Sequence, residues 1–328
     1  MSNLYIYASA RSLSLTRKLL SEPQLDRLFG AKSKEEIFKV LQDTFLASYL
    51  SGKPEDKIED GISGALFEAR KLALSFAPEP ELLHPYFSRF DFYNLKILIK
   101  SKKVGVAPSE VKNSLIPLGN VAPQKLQELF EGNSLGKISL EFSRVAEEAS
   151  KTASPFEIDE ISEHGYFEML QKHKEVLANC FVREYIGLLS FYFSAVSALR
   201  HKAYGDLLKP PRKIKGETIG KDEMNSEEAI FRALKRKVRS GGLEEAVKAY
   251  KEKRSISTLE RVLDEDIFNF IKDESRRDMF SVASIYLYLE SMRQNVATVR
   301  AILSAAESGI KEAELRGLVR NIRRGVRI

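Results

Sequence analysis

Apolar residues recur along this chain at intervals of three and four positions, the period of an α-helix that buries one face. Within 33–50, Ile37 and Leu41 follow this spacing, and Ser33 with Glu36 has the form of a capping box at a helix start. Similar patterns occupy 57–76, 122–131, 141–151, 157–178 and 225–242. No segment sustains the alternation that is typical of a strand. The pattern therefore predicts an all-α protein.

Prolines and glycines divide the helical pattern. Pro23 is expected to break 14–29 into two short turns, and 206–226 is the clearest loop because it combines a proline pair, two glycines and dense charge. A weaker interruption covers 105–122. The uncharged run 185–199 has 15 residues, fewer than the ~20 that a membrane-spanning helix needs, so it predicts a buried helix.

A twelve-residue pattern occurs three times, in 94–105, 194–205 and 298–309. Apolar residues at offsets one, four and five from its first position share one helix face. A small polar residue opens each copy and a glycine closes it: Asn94 and Gly105, Ser194 and Gly205, Thr298 and Gly309. Each glycine is predicted to end its helix in the left-handed conformation, which glycine adopts without steric cost.

The three copies start 100 and 104 residues apart, a period too long for a solenoid unit. We interpret them as three similar helical domains of about 100 residues each. The predicted domains are 1–117, 118–222 and 223–328. The alternative is that unrelated amphipathic helices ending in glycine resemble one another.

The net charge of +6 is concentrated in two segments of an otherwise nearly neutral chain. Segment 206–221 carries +3 and segment 311–328 carries +4. The arginine-rich tail has two interpretations. It is the last turns of a helix, where cations complement the helix dipole, or it binds the phosphates of RNA or lipid. A basic, all-helical nucleic-acid-binding protein is therefore the alternative function.

The sequence contains no convincing catalytic, metal or cofactor motif. Segments 132–137 and 216–221 resemble phosphate loops, but each has three residues between its glycines where four are needed, and neither has Ser or Thr after the lysine. The single cysteine, Cys180, excludes a disulfide within the chain, which fits a reducing compartment. Its apolar neighbours predict a place in the core. The chain is accordingly expected to be non-catalytic and to need no cofactor.

Five segments resemble, in order, the C subunit of the archaeal and bacterial A/V-type ATPases, whose eukaryotic counterpart is the vacuolar d subunit. They are 41–50, 90–105, 161–170, 194–205 and 299–319, and the most specific piece is DFYNLK at 91–96. The family usually has Asn followed by a basic residue in every copy. Here the first copy keeps both, whereas Ser194 with Val196 and Thr298 with Arg300 keep them only in part.

The resemblance implies an all-α funnel of three similar helical domains around a pseudo-threefold axis. It implies a peripheral position on the cytoplasmic face of the membrane, seated on the proteolipid ring, with a socket for the axle made by the D and F subunits. The role would be mechanical, coupling H+ or Na+ transport to ATP hydrolysis or synthesis. No nucleic acid is then expected as a partner.

Basic side chains of the repeated helices are the candidate partner contacts. They are Lys96, Lys100, Lys102, Lys103, Arg200, Lys202 and Arg300. The third copy has Ser304 and Ala306 where the first has Lys100 and Lys102, so contacts through these two positions are not expected there.

Overall fold

The computed structural model describes residues 3–107, 110–205, 217–220, 222–310, 312 and 315–316. Every regular element within these residues is helical, which confirms the predicted all-α class. The backbone groups into two compact units, Met1–Pro80 with Ile271–Ile328, and Glu81–Phe270. The division into three domains stays a prediction.

The first unit contains six α-helices within the described residues, and its long C-terminal helix packs against helices from the N-terminal part of the chain. The helices are α1 (Ile6–Arg17), α2 (Glu22–Gly30), α3 (Lys34–Leu41), α4 (Ala47–Leu50), α5 (Ile58–Phe76) and α15 (Ala283–Ser308). Helix α15 lies against α1, α2, α3 and α5 and so forms the centre of this unit.

The second unit is built around two long helices, α6 and α11. Its helices are α6 (His84–Lys103), α7 (Pro123–Glu131), α8 (Leu140–Ser150), α9 (Pro155–Leu170), α10 (Lys174–Ala178), α11 (Cys180–Tyr204), α12 (Glu227–Lys237) and α13 (Leu243–Lys253). Helix α14 (Ser257–Arg277) contains the boundary between the units. The predicted buried helix 185–199 lies within α11 and is largely buried. Within the described part of the chain, no helix is long and apolar enough to cross a membrane.

Local hydrogen bonds determine where the N-terminal helices begin. Ser33 accepts from the Glu36 amide at 3.2 Å as predicted, but the Glu36 carboxylate accepts from the Lys32 amide rather than closing a box with Ser33. A complete capping box occurs instead between Ser21 and Gln24. The segment 14–29 is divided between two helices as predicted, but the break lies at 18–21 rather than at Pro23. This proline lies in the first turn of α2, where a missing amide proton costs no hydrogen bond.

Several other sequence expectations need correction. The predicted helix 33–50 is divided into α3 and α4, and 157–178 is divided into α9 and α10. The helix predicted over 225–242 ends at Lys237, because Val238 is extended and Gly242, with φ of 88°, begins α13 instead. Cys180 is exposed rather than in the core, because it is the first residue of α11.

Helices α6, α11 and α15 end beside the three glycines of the repeat. Gly105, Gly205 and Gly309 have φ angles of 74°, 55° and 67°. Gly309 has the left-handed conformation that the pattern predicted. Gly205 differs, since its ψ of −133° takes it outside the left-handed helical region although its φ is positive. All three helix ends thus use a backbone conformation that favours glycine.

Candidate functional site

A polar side chain of α6 holds the segment that leads into α7. The Asn94 amide donates to the Ile116 carbonyl at 2.9 Å and its oxygen accepts from the Ile116 amide at 2.8 Å. One turn earlier, the Asp91 carboxylate accepts from the backbone amides of Asn120 and Val121, both at 2.9 Å. The linker before Pro123 is therefore fixed to the long helix by side-chain hydrogen bonds.

The corresponding position of α11 makes a similar contact. Ser194 Oγ accepts from the Ile219 amide at 3.1 Å, and Ser190 donates to the Glu217 carbonyl at 2.7 Å. These backbone groups lie shortly before α12, as those held by α6 lie shortly before α7. The first two copies of the repeat thus use equivalent residues, Asn94 and Ser194, for the same purpose.

In the third long helix, the contact with a linker is made by Asn295, one turn before Thr298. Thr298 donates to Gln294 of its own helix, and it is Asn295 that accepts from the Leu20 amide at 3.1 Å. Leu20 lies between α1 and α2. The third long helix therefore also holds a segment that leads into a short helix.

The long helices also form ion pairs. Lys100 Nζ lies 2.6 Å from Asp159 Oδ1, and Lys96 Nζ lies 3.5 Å from the same oxygen and 3.8 Å from Glu163 Oε1. The pairs join α6 to α9. Lys96 and Asp159 are both less than one-fifth exposed, so water screens their charges weakly.

The other two copies have one such pair each. Arg200 of α11 forms an ion pair with Glu260 of α14, and Arg300 Nε of α15 lies 2.8 Å from Glu59 Oε1 of α5. The acidic partners of Lys96, Arg200 and Arg300 lie in 118–222, 223–328 and 1–117, which in each case is the next of the three predicted domains. The acidic partners are 100 and 101 residues apart, a spacing that the sequence interpretation missed.

The sequence profile of the ATP synthase (C/AC39) subunit family matches residues 8–318. The chain belongs to this family. The C subunit of the A-type ATP synthase of Methanocaldococcus jannaschii is 26% identical over 96% of this chain and 86% of its own length. That of Thermococcus onnurineus is 25% identical over 96% and 90%. The C subunit of the V-type ATP synthase of Deinococcus radiodurans is 26% identical over 41% of this chain and 40% of its own.

In this member of the C/AC39 family, the remaining predicted contact residues also bind within the chain. Lys102 Nζ lies 5.2 Å from the centre of the Phe130 ring, and Lys103 Nζ donates to the Ser150 carbonyl at 2.9 Å. Lys202 Nζ donates to the Asn225 carbonyl at 3.1 Å. Lys102 and Lys103 are exposed, and they border a cavity of about 510 Å3. Their contact with a partner stays a prediction.

Lys96 and Arg200 come together in another cavity, of about 390 Å3, in the second unit. This cavity lies where α6, α9, α11 and α14 meet, and these helices come from all three predicted copies. Its charged lining consists of Arg89, Lys96, Asp159, Glu163, Arg200, Glu260 and Asp264. Burial raises the pKa of Glu260, and the charge of Arg200 opposes that rise.

Metal chemistry finds no support in the described residues, since no group of three or more His, Cys, Asp or Glu side chains there could hold an ion. The predictions for the two basic segments fall mostly outside the described residues. Arg316, at the edge of the tail, lies 2.7 Å from Asp26 and packs over the Phe29 ring at 4.7 Å.

Proposed function

We propose that this chain is the non-catalytic central-stalk subunit of a rotary A/V-type ATPase, coupling the proteolipid ring to the axle during ATP-linked H+ or Na+ transport. Membership of the ATP synthase (C/AC39) subunit family over nearly the whole chain carries the proposal. The relatives that match over most of their length are named as C subunits of A-type ATP synthases. We place the chain on the cytoplasmic face of the membrane, bound peripherally to the complex.

The contacts of the long helices support a mechanical role. A coupling subunit must transmit torque without unfolding, which requires its repeats to be tied to one another as well as packed. Each of the three long helices holds a segment before a shorter helix by hydrogen bonds, and each pairs a basic side chain with an acid of another helix. The order of these ion pairs is what three similar domains around a pseudo-threefold axis would require, and we propose that arrangement.

The D and F subunits form the axle. We further propose that the 390 Å3 cavity belongs to the socket that receives this axle. Helices of all three predicted copies contribute to it, as expected of a central opening. Asp264 is the most accessible charge at its rim, with 58% of its side chain exposed. Lys102 and Lys103 are exposed and lie outside this cavity. We propose that they form additional contacts with other subunits of the complex.

Binding of the purified D–F axle tests this role. We expect the wild-type chain to bind the axle and Asp264→Arg to weaken binding by about tenfold or more, because it reverses a charge in the contact. Asp273→Arg is the matched control, since it makes the same change at an exposed position of the same helix. Lack of affinity between wild-type chain and axle would overturn the coupling role. If Asp264→Arg and Asp273→Arg bind the axle equally well, the cavity is not part of the socket, but the coupling role still stands.

Coupling itself is measured on the assembled complex in sealed vesicles. We expect complexes that lack this chain to hydrolyse ATP without driving ion movement, and re-addition of the chain to restore it. Restored coupling with the Lys102→Ala/Lys103→Ala variant at wild-type concentration would exclude those lysines as contacts. Full coupling in complexes without the chain would refute the proposal.

A further inference from the structure

Helix α1 buries small side chains and exposes large apolar ones, the reverse of what is expected of a packed helix. Its buried positions are the small residues Ala8, Ser9, Ser12 and Thr16. Large apolar side chains are instead exposed: Ile6 by 45%, Tyr7 by 68% and Leu13 by 39%, with Leu4 just before the helix exposed by 53%. Exposed apolar residues grouped on one element, unlike scattered ones, mark a contact surface.

Packing of α1 against α15 explains the arrangement. Ser9 Oγ lies 2.9 Å from Ser284 Oγ, and the Leu20 amide lies 3.1 Å from Asn295 Oδ1. Both contacts join residues 275 positions apart, so the two helices run parallel in a constant register. Small residues at this seam let the helices approach closely, and the large side chains of α1 therefore lie on its other side.

The turn between α14 and α15 also exposes large apolar side chains. Met279 and Phe280 in that turn are 60% and 47% exposed. The turn lies just before Ser284, the residue of α15 that contacts Ser9 of α1. The first unit thus exposes apolar side chains in two separate parts of the chain.

The charges beside this surface have one sign along α1. Arg11, Arg17 and Lys18 are exposed, and no acidic residue occurs between 3 and 21. Acids and bases are mixed in the turn, where Asp278 follows Arg276 and Arg277. Apolar residues at the helix start and cations towards its end are the combination that binds the interface of an anionic bilayer.

We propose that the exposed face of α1, together with Met279 and Phe280, binds a lipid bilayer that carries acidic headgroups. Ile6 and Leu13 enter the boundary between headgroups and acyl chains, and Tyr7 places its ring there with the hydroxyl in water. Arg11, Arg17 and Lys18 lie among the lipid phosphates. The contact depends on this surface alone and does not require the coupling role proposed above.

The chain has no tryptophan, which makes a single introduced indole a specific probe. We expect the fluorescence of Tyr7→Trp to shift to the blue with phosphatidylcholine vesicles containing phosphatidylglycerol, and to be quenched by lipids brominated on the acyl chains. Vesicles of phosphatidylcholine alone should give a much smaller shift, because they lack the charge. Leu140→Trp, at a 78% exposed position of the second unit, is the control and should not shift.

Sedimentation with the same anionic vesicles tests the surface independently of fluorescence. The Ile6→Ser/Tyr7→Ser/Leu13→Ser variant should bind about tenfold or more weakly, because three apolar side chains are no longer transferred from water. Val104→Ser/Leu140→Ser removes exposed apolar residues elsewhere and should bind like wild type. Circular dichroism verifies that both variants keep the native helix content.

Two results would overturn the proposal. One is wild-type binding by the α1 variant, which would assign vesicle affinity to another basic part of the chain. The other is a blue shift of Tyr7→Trp with another purified protein of the complex and none with vesicles, which would make the surface a protein contact.

Discussion

Asn94 and Ile116 exchange two hydrogen bonds, so that one buried side chain satisfies both polar backbone groups of a residue 22 positions later. Asn94 is fully buried. A buried backbone amide or carbonyl without a partner costs free energy comparable to a lost hydrogen bond. The pair therefore ties the path of the linker into α7 to the position of α6.

Replacing Asn94 should reduce stability through these backbone groups. We expect Asn94→Ala to lower the free energy of unfolding by about 1–2 kcal/mol, because it leaves the partly buried amide and carbonyl of Ile116 unpaired. Urea denaturation followed by circular dichroism measures the change. Asn225→Ala, at an exposed asparagine, is the control and should stay within about 0.5 kcal/mol of wild type.

The three terminal glycines should be costly to replace for a backbone reason alone. No atom lies within 4 Å of a Cβ built at Gly105, Gly205 or Gly309, but all three have positive φ. Each Gly→Ala variant should lose about 1–2 kcal/mol, with Gly205→Ala losing most because its ψ lies outside the left-handed helical region. Gly30→Ala, with equal space and no positive φ, should be neutral. If all four variants lose the same free energy of unfolding, positive φ is not the reason that glycine occupies these positions.

The repeat was predictable because local physics determines a helix end. A glycine that closes a run of helical spacing is visible in the sequence, and the left-handed conformation predicted for Gly309 is confirmed. The acids that pair with the repeated bases were missed, although Glu59 and Asp159 are 100 residues apart, because acids on a helix face are usually solvated. The two faces of α1 could not be predicted, since only the packing against α15 determines which side chains it buries.

The Arg300–Glu59 pair should contribute more to stability than a surface pair. Both side chains are about one-quarter exposed, and Ser63 provides a further hydrogen-bond partner. In a double-mutant cycle with Arg300→Met and Glu59→Gln, we expect a coupling energy of about 1–3 kcal/mol. The exposed Lys151–Glu147 pair should give less than about 0.5 kcal/mol in a cycle of the same design. Equal coupling in the two cycles would contradict this assignment.

Glu141 should make stability depend on pH in acid. Burial alone would raise the pKa of this carboxyl group, but hydrogen bonds from Lys172 and Ser139 outweigh burial and lower its pKa from 4.5 to about 2. A carboxylate with a depressed pKa stabilises the fold above pH 4.5 and loses this contribution as the pH falls towards 2. Glu141→Gln should therefore be less stable than wild type at neutral pH, and the difference should shrink through this window. Urea denaturation at a series of pH values measures it.

Buried tyrosines should delay the alkaline titration of the folded chain. Burial is the main cause that raises the pKa of Tyr49, Tyr166, Tyr192, Tyr250 and Tyr288. Tyr250, whose pKa rises to about 12, also faces the carboxylate of Glu227. We therefore expect no more than seven of the twelve tyrosines to ionise near pH 10 in the native state, and all twelve in guanidinium.

Tyrosinate absorbance measures this titration, and Tyr250→Phe identifies one delayed group. In the native state, this variant should show the same absorbance change near pH 10 as wild type. The further absorbance change, at higher pH or on unfolding, should be smaller. Because the raised pKa of Tyr250 favours its neutral form, its contribution to stability is complete below pH 10 and disappears as the pH rises through about 12. Ionisation of all twelve tyrosines near pH 10 with native circular dichroism would contradict their burial.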